Sequence, residues 1–509
     1  MRWILIFISL LHTAANVVNA QVTLLWSHRF ADPTFFTGYG DVGTGLDLRH
    51  DSLLVGRTYE NRSATTLLNA GTGDELWTAI LPDTVVQYGG IHFLSSGIMR
   101  NDRVESASTL MERARTLGLD GSGQWSWPDN SSMVDQVCGP LLTSVGQQAY
   151  TLAYGQGSTM PELHGAVFDA AGNMGTWTYV PSHAWLALHA LADDAGGIAV
   201  TAMVQYPSAS SAVPVLARFS ADNGSLLWMH ALTDTTGFLV NSDAISAKWG
   251  SDTLLTAFTT WSGLVELRMH RISDGGLLWS FTDTLGLIPY LSTLCAEPGE
   301  QLIHIGTENS FVLTYDADAG RLWMDTLYTS PHYDNSVLLA DGQRFVHVLA
   351  TGPGLGQGQD IRIRTFDKQT GEVTGDATWN DPVSNTHDIL HHALLAHDTL
   401  YVLSASTYDT LSILNERTTL TVNAYLLGGA TGIPTWAIAS HSTTATLAHD
   451  GISILLASTV RTWTCFDLSG RIRFRGNGVD LDEGYGTLAP GLYLFAPSDG
   501  TARRLFEKY

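Results

Sequence analysis

Short runs of alternating apolar and polar residues follow one another along most of this chain. Residues 336–340 and 345–349 form one pair of such runs, and the turn Asp341-Gly342 lies between them. A side-chain period of two is typical of β-strands, and glycine tolerates the positive φ that tight hairpin turns require. No 3.6-residue period runs long enough to predict a helical solenoid. The pattern therefore predicts an all-β chain built from hairpins.

Tryptophan marks a longer period within the same pattern. Before most of these tryptophans, a turn containing glycine joins two strand-like runs, and two more strand candidates lie upstream. A step of about 50 residues indicates one supersecondary unit used repeatedly, and four-stranded units arranged around an axis form a β-propeller. The repeated residues are Trp26, Trp77, Trp127, Trp177, Trp228, Trp279, Trp323, Trp379 and Trp436.

The tryptophan intervals also predict the number of blades. Eight intervals indicate eight blades, with seven as the alternative if one unit is irregular. Trp26 has no hairpin before it, so the strand at residues 22–26 is predicted to complete the last blade and close the ring. The interval from Trp77 to Trp127 is the least regular, because residues 112–115 make an unusual strand.

Composition supports a folded and acidic protein. Hydrophobic residues make up 44% of the chain and charged residues 15%, which is enough apolar material for a large core. The net charge of −23 disfavours binding to nucleic acid or to anionic membranes. Cys138, Cys295 and Cys465 are an odd number of cysteines, so a complete disulfide framework is excluded and small buried side chains are expected.

Residues 1–20 have the pattern of a secretory signal peptide. Arg2 precedes an apolar run at residues 3–11, and Val18-Asn19-Ala20 is a small-residue cleavage pattern. The alternative is a membrane anchor, but the run is shorter than the roughly 20 residues that a transmembrane helix needs. We therefore predict export, cleavage before Gln21 and no transmembrane segment in the mature chain.

The turn and tryptophan element resembles the repeat of a known group of propellers. Asp or Asn, then glycine four residues later, then tryptophan is similar to the repeat of pyrroloquinoline-quinone-like and outer-membrane-assembly-type propellers, over about residues 21–447. In that group the tryptophan packs the outer strand of one blade against its neighbour, and the resemblance implies the same role here. The quinone pocket of the enzymes in the group has no match in this chain, so the resemblance implies no quinone cofactor.

The C-terminus contains Asp467-Leu468-Ser469-Gly470-Arg471, followed by Leu488-Ala489-Pro490-Gly491-Leu492-Tyr493. With these motifs, residues 448–509 resemble a sorting domain of type IX secretion cargo. Such domains are small β-sandwiches carried by exported proteins of Bacteroidota-type bacteria. The resemblance implies that the secretion machinery is a partner and that the protein is secreted or attached to the cell surface. The alternative is that residues 441–475 are a last blade fragment. The matching positions are Asp467, Leu468, Gly470, Arg471, Pro490, Gly491 and Tyr493.

No catalytic motif stands out in the chain. The densest group of candidate metal ligands includes His387, Asp388, His391 and His392. Neighbouring residues of a strand face opposite sides, so His391 and His392 cannot bind one ion unless the strand contains a bulge. A group of histidines at a loop edge is therefore the favoured interpretation.

Five aspartates form a second candidate site, because each lies just before or early in the predicted inner strand of a unit. In a propeller these positions enter the central channel, where carboxylate oxygens would suit Ca²⁺ or a polar ligand. No other cofactor is predicted. The alternative is that each aspartate accepts backbone hydrogen bonds in a turn. The five are Asp41, Asp135, Asp243, Asp334 and Asp388.

Two functions from different classes are consistent with this pattern. The favoured one is an exported, non-enzymatic propeller that binds a protein or glycan or serves as a structural module. The alternative is a secreted enzyme, either a metal-dependent hydrolase or a quinoprotein, with its site at the mouth of the channel. Fold alone decides neither.

Overall fold

The structure is a computed structural model, and for some strand residues it describes the backbone alone. The described residues are 22–30, 34–35, 43–59, 62–106, 109–128, 133–142, 148–156, 161–169, 174–205, 212–232, 244–259, 263–285, 291–307, 311–326, 336–341, 344–351, 360–380, 387–407, 417–428, 463–467, 472–476, 491–497 and 504–508.

Every regular element in these ranges is a β-strand, as the alternating pattern predicts. The strands are β1 (Val22–Arg29), β2 (Thr34–Phe35), β3 (Gly43–Arg49), β4 (Ser52–Tyr59), β5 (Arg62–Asn69), β6 (Glu75–Leu94), β7 (Gly97–Ser106), β8 (Thr109–Leu117), β9 (Gly123–Pro128), β10 (Met133–Leu142), β11 (Gln148–Gln156), β12 (Pro161–Asp169), β13 (Met174–Tyr179), β14 (Ala184–Ala192), β15 (Gly197–Gln205), β16 (Ala212–Ser220), β17 (Leu226–Ala231), β18 (Ile245–Gly250), β19 (Thr253–Thr259), β20 (Leu264–Arg271), β21 (Leu277–Thr284), β22 (Leu291–Glu297), β23 (Leu302–Thr307), β24 (Phe311–Asp316), β25 (Gly320–Thr326), β26 (Ser336–Ala340), β27 (Phe345–Thr351), β28 (Asp360–Phe366), β29 (Val373–Trp379), β30 (His387–Ala396), β31 (Thr399–Thr407), β32 (Arg417–Leu427), β33 (Trp463–Asp467), β34 (Ile472–Gly476), β35 (Gly491–Pro497) and β36 (Arg504–Lys508).

The strands pair as antiparallel neighbours in sets of four, which we number as units. Unit 1 contains β3, β4, β5 and the first half of β6, and unit 2 contains the second half of β6 with β7, β8 and β9. Units 3 to 7 are β10–β13, β14–β17, β18–β21, β22–β25 and β26–β29. Unit 8 is β30, β31, β32 and β1, and the short strand β2 also pairs with β32.

Strand β1 is the fourth strand of unit 8, where the sequence places it. Its register runs from Val22 opposite Leu427 to Arg29 opposite Thr421, with a bulge next to Trp26. Unit 8 therefore takes three strands from residues 387–427 and its outer strand from the beginning of the chain. Trp436 lies outside the described residues.

The link between units 1 and 2 has no loop. Strand β6 pairs with β5 through its first half and with β7 through its second half, so units 1 and 2 share one seven-stranded sheet. The unusual charged strand of the irregular interval is β8, and Arg115 of β8 lies directly opposite Arg100 of β7. Arg100 is fully buried, and its Nε donates to both carboxylate oxygens of buried Asp102 at 2.9 Å. The pairing of Arg100 with Asp102 explains how two charged residues are accommodated within the buried strand β7.

The turn before each outer strand shows why the repeat contains Asp or Asn followed by glycine. Asp367 Oδ1 accepts from the backbone N–H of Thr370 at 2.8 Å, and the N–H of Gly371 donates to the carbonyl of Asp367 at 2.9 Å. Gly371 has a φ of +73°, which disfavours any side chain. The carboxylate thus caps the turn while the glycine allows the chain to reverse.

The same glycines receive the repeat tryptophans of neighbouring units. A Cβ on Gly224 would lie 2.2 Å from the ring of Trp177, whose Nε1 donates to the carbonyl of Ala221 at 2.8 Å. Each such contact joins one unit to the next with a hydrogen bond and a face of aromatic surface. The same arrangement joins Trp26 to Ala70 and Gly73, Trp77 to Leu119 and Gly121, Trp228 to Ile272 and Gly275, and Trp323 to Lys368 and Gly371.

Two described units depart from this arrangement. At the seam between units 5 and 6, Gly320 of unit 6 faces the ring of Phe281 of unit 5, and Trp279 stacks on Phe281 at 6.2 Å between ring centroids. Trp379 of unit 7 packs with Tyr425 and other core residues of unit 8, where β32 and β1 are not joined by a hairpin. The side chain of Trp127, in β9, lies outside the described set.

A cluster of charged and polar groups also ties unit 6 to unit 7. Lys368 Nζ lies 2.5 Å from Glu297 Oε1 and 3.4 Å from Glu300 Oε1, and Glu297 Oε2 lies 3.0 Å from His304 Nε2. The His304 ring stacks on Phe345 at 4.1 Å between centroids. Burial lowers the pKa of His304 below its ordinary value. The cluster lies beside Cys295, whose thiol has its pKa raised to about 11 by burial and is therefore unreactive at neutral pH.

The C-terminal strands form a separate four-stranded antiparallel sheet in the order β34, β33, β35, β36. Asp467 lies in β33, and Gly491 and Tyr493 lie in β35. The other four positions of the sorting pattern fall outside the described residues, as do residues 1–20. Within the described ranges, no helix is long and apolar enough to cross a membrane.

Candidate functional site

The first strand of each unit is its inner strand, and these strands lie side by side. The inner strands are β3, the second half of β6, β10, β14, β18, β22, β26 and β30. Each of them contacts the inner strand of the next unit, and β30 contacts β3. Each inner strand has side chains that project from the plane of its sheet. We call these side chains together the inner-strand surface.

The structure describes the side chain of one of the five predicted aspartates, Asp388. Asp388, at the start of β30, is fully buried, and its Oδ1 accepts a hydrogen bond from Ser406 Oγ at 2.5 Å. Asp135 lies in β10, with its side chain outside the description, while Asp41, Asp243 and Asp334 lie outside the described residues. A shared cavity lined by the five carboxylates therefore stays a prediction.

The histidine pair of β30 lies at a bulge. The register between β30 and β31 shifts between Leu390 and His392, which places the bulge at His391. The sequence argument required this irregularity before both histidines could turn to the same side. Burial, and to a smaller extent the nearby His92, lower the pKa of His392 to about 4, while Asp47 opposes the shift. His392 is therefore neutral at physiological pH.

Asp47 and His92 form the best-defined polar pair of the inner-strand surface. Asp47 Oδ2 accepts from the backbone N–H of Phe93 at 2.7 Å, and Oδ1 accepts from the N–H of Leu48 at 2.8 Å. His92 Nδ1 lies 3.4 Å from Asp47 Oδ2, and the His92 side chain is 39% exposed. The carboxylate thus links β3 to β6 while the imidazole reaches solvent, an arrangement that can hold a hydrogen-bonding ligand.

Sequence reasoning missed this pair, although both residues carry a readable signal. Asp47 interrupts an apolar strand between Leu46 and Leu48, and a carboxylate at such a position needs donors. The two residues lie 45 positions apart, close to one repeat. A comparison of equivalent positions in successive repeats would have brought them together.

Further polar contacts join other neighbouring inner strands. His189 Nδ1 of β14 lies 3.2 Å from Ser246 Oγ of β18. Lys248 Nζ of β18 lies 3.2 Å from Asp194 Oδ1, and Ser292 Oγ lies 2.8 Å from Ser336 Oγ across β22 and β26. These cross-unit hydrogen bonds fix the inner-strand surface, so its exposed polar groups have defined positions.

Among the described residues, no group of three or more His, Cys, Asp or Glu side chains could hold a metal ion. The oxygen and nitrogen atoms of Asp47 and His92 suit recognition of hydroxyl, amide or ammonium groups.

No family model matches the chain, and no curated protein matches it. Among solved structures, the quinohemoprotein alcohol dehydrogenase from Comamonas testosteroni aligns with a TM-score of 0.52 and 12% identity, over 86% of this chain and 79% of that one. This chain therefore has a β-propeller fold. Two other solved structures align less closely. The C-terminal WD40 domain of Sif2 has a TM-score of 0.49 and 10% identity, over 79% of this chain and 100% of that one, and Saccharomyces cerevisiae Sqt1 has a TM-score of 0.48 and 12% identity, over 80% and 100%.

At this level of identity, the likeness concerns the propeller architecture alone. It agrees with the four-stranded repeat and with the resemblance to quinone-type propellers stated from the sequence. The activity of the dehydrogenase belongs to that protein. What this propeller binds has to be argued from its own inner-strand surface.

Proposed function

We propose that the protein is an exported, eight-bladed propeller that binds a ligand outside the cell without catalysing a reaction. The observation that carries this proposal is the hydrogen-bonded inner-strand surface, in which Asp47 and His92 are fixed by a neighbouring unit yet reach solvent. Polar groups held in this way suit recognition, because little conformational freedom is lost when a ligand binds.

The eight-bladed closed ring is part of the proposal. Eight sets of four strands and the sequence of contacts from β3 to β30 and back to β3 support it. The contact of Trp26 with Gly73 also supports it, because it joins unit 8 to unit 1 in the same way that Trp177 joins two consecutive units. Seven blades would leave one of these units outside the ring.

Export through a type IX-like route is the second part. It is supported by the signal peptide pattern at residues 1–20, by the C-terminal sequence resemblance, and by the separate small sheet of β33–β36. The proposed partners are the secretion machinery and a protein or glycan ligand, and the proposed location is the medium or the cell surface.

Removal of residues 463–509 should retain the protein inside the cell. We expect full-length protein to reach the medium or surface of a host with a type IX system. The truncated chain should accumulate in the periplasm to at least ten times the level of the full-length protein. Cell fractionation and immunoblotting measure both. Arg471→Ala should reduce export, whereas Arg461→Ala, outside the sorting pattern, should not. Export of the truncated chain at the full-length level would contradict the route.

The ligand proposal is tested on an array of bacterial and plant glycans and extracellular proteins. A double variant Asp47→Asn and His92→Gln should weaken binding to any positive spot at least tenfold, because both changes alter the exposed polar pair. Asp318→Asn changes an exposed turn residue of a unit far along the chain and should leave binding unchanged. Turnover of a substrate, or a metal or quinone carried by the purified protein, would favour the secreted-enzyme alternative.

A further inference from the structure

Strand β32 has a polar face that the fold buries. Its even-numbered residues from Leu420 to Leu426 are apolar, while Thr419, Thr421, Asn423 and Tyr425 alternate with them. Such alternation is typical of a strand with one face in water. In the fold both faces are covered, and the four polar side chains are between 0% and 7% exposed.

The neighbouring unit packs apolar side chains against this polar face, and Asp388 of the same sheet is a charged group near Tyr425. The apolar face of β32 packs with Leu53 and Val55 of unit 1. On the opposite side, Tyr425 packs in a cluster with Val348, Ile361 and Ile363 of unit 7. The polar side chains of β32 therefore lie against an aliphatic surface.

The polar face continues across the sheet onto β31. Ser404 lies directly opposite Thr421, and side chains opposed in this way have Cβ atoms about 5 Å apart. Within the described part of the chain, Ser404 Oγ and Thr421 Oγ1 have no hydrogen-bond partner, and the Asn423 amide and the Tyr425 hydroxyl lie near each other without forming a well-aligned hydrogen bond. We call Ser404, Thr421, Asn423 and Tyr425 the polar row.

Five buried polar atoms without a well-aligned hydrogen bond lie in one seam, and each carries a cost for losing its contacts with water. We propose that the polar row binds ordered water molecules between units 7 and 8. Water both donates and accepts hydrogen bonds, and so matches three hydroxyls and an amide. A cation would accept only lone pairs and would leave Asn423 Nδ2 without an acceptor.

The position of the polar row agrees with the construction of unit 8. Its outer strand β1 comes from the start of the chain, and Trp379 packs against an apolar cluster that contains residues of units 7 and 8. Among the described residues, a tryptophan–glycine contact is seen at five other seams and not at the seam between units 7 and 8. Bridging water supplies polar contacts in this seam.

Thr421→Val tests the proposal through the sign of its effect on stability. If water binds Thr421 Oγ1, the loss of the hydroxyl should raise the unfolding equilibrium constant about fivefold in urea, since a net hydrogen bond is lost. If the row is dry, the same substitution removes an unsatisfied group and lowers that constant. An unchanged or lowered constant would overturn the proposal.

Thr256→Val is the matched control, because Thr256 Oγ1 donates to the carbonyl of Arg268 at 3.3 Å and its loss should destabilise in either case. A crystal structure of the full chain should show water density within hydrogen-bonding distance of Thr421 and Asn423. A dry seam, or stabilisation of the full chain by added Ca²⁺ or K⁺ that Asn423→Leu abolishes, would instead reject a water site.

Discussion

Trp177→Ala should lower the free energy of unfolding by about 3–5 kcal/mol, the usual cost of removing a buried large aromatic side chain. The Trp177 ring is 7% exposed, packs with Phe219 and lies over Gly224, and its Nε1 donates to the carbonyl of Ala221. The substitution removes aromatic surface from both units and leaves that carbonyl without its donor. Urea or thermal denaturation of the purified chain measures the effect.

Two further variants show whether the loss arises at the seam. Thr176→Ala, an exposed neighbour in the same strand, should change stability by less than about 1 kcal/mol. Gly224→Ala should also destabilise, because it adds a Cβ against the ring at a φ of +66°. The double variant should lose less than the sum of the two single losses, since the clash requires the ring. Additive losses, or a Trp177→Ala chain as stable as the parent, would contradict the seam assignment.

Acidification from pH 7.5 to 4.5 should destabilise the protein, and His347 alone should account for about 3 kcal/mol of the loss. His347 is fully buried in β27, and both its ring nitrogens lack hydrogen-bond partners among the described residues. Burial, with a smaller effect from Arg364 directly opposite on β28, lowers its pKa to about 3.

The sign follows from the order of the two pKa values. In the unfolded chain His347 has a pKa of about 6.5, so the unfolded state binds an extra proton between pH 6.5 and about 3. Stability is therefore complete above pH 6.5 and falls as the pH drops through this window. His347→Leu should flatten the decline by about 3 kcal/mol, whereas Val348→Ala, on the same strand and packed in an apolar cluster, should leave its slope unchanged. Equal slopes for parent and His347→Leu would refute the burial argument.

The fold was predictable from the sequence where local chemistry repeats. The Asp or Asn that caps a turn, the glycine at positive φ and the tryptophan that contacts a neighbouring unit are all local requirements, so they recur visibly. The pairing of β1 with β32 was predictable because the strand at Trp26 lacked its own hairpin.

Other features depend on contacts between distant residues and left no such pattern. The polar alternation of β32 is typical of a solvent-facing strand, but units on both sides bury it. Strand β6 passes from unit 1 to unit 2 without a loop, and the sequence indicates this only through the irregular interval between Trp77 and Trp127. Asp47 and His92 meet because neighbouring inner strands lie side by side, so the candidate site emerged from register and not from any motif.

The central claim is a closed ring of eight four-stranded units in which β1 completes the last one. Cryo-electron microscopy of the purified full-length chain tests it directly, because end-on class averages display the blades of a propeller individually. We expect eight evenly spaced blades around a central channel, with a continuous ring in every well-populated class. Seven blades, or a gap where unit 8 meets unit 1, would contradict the account.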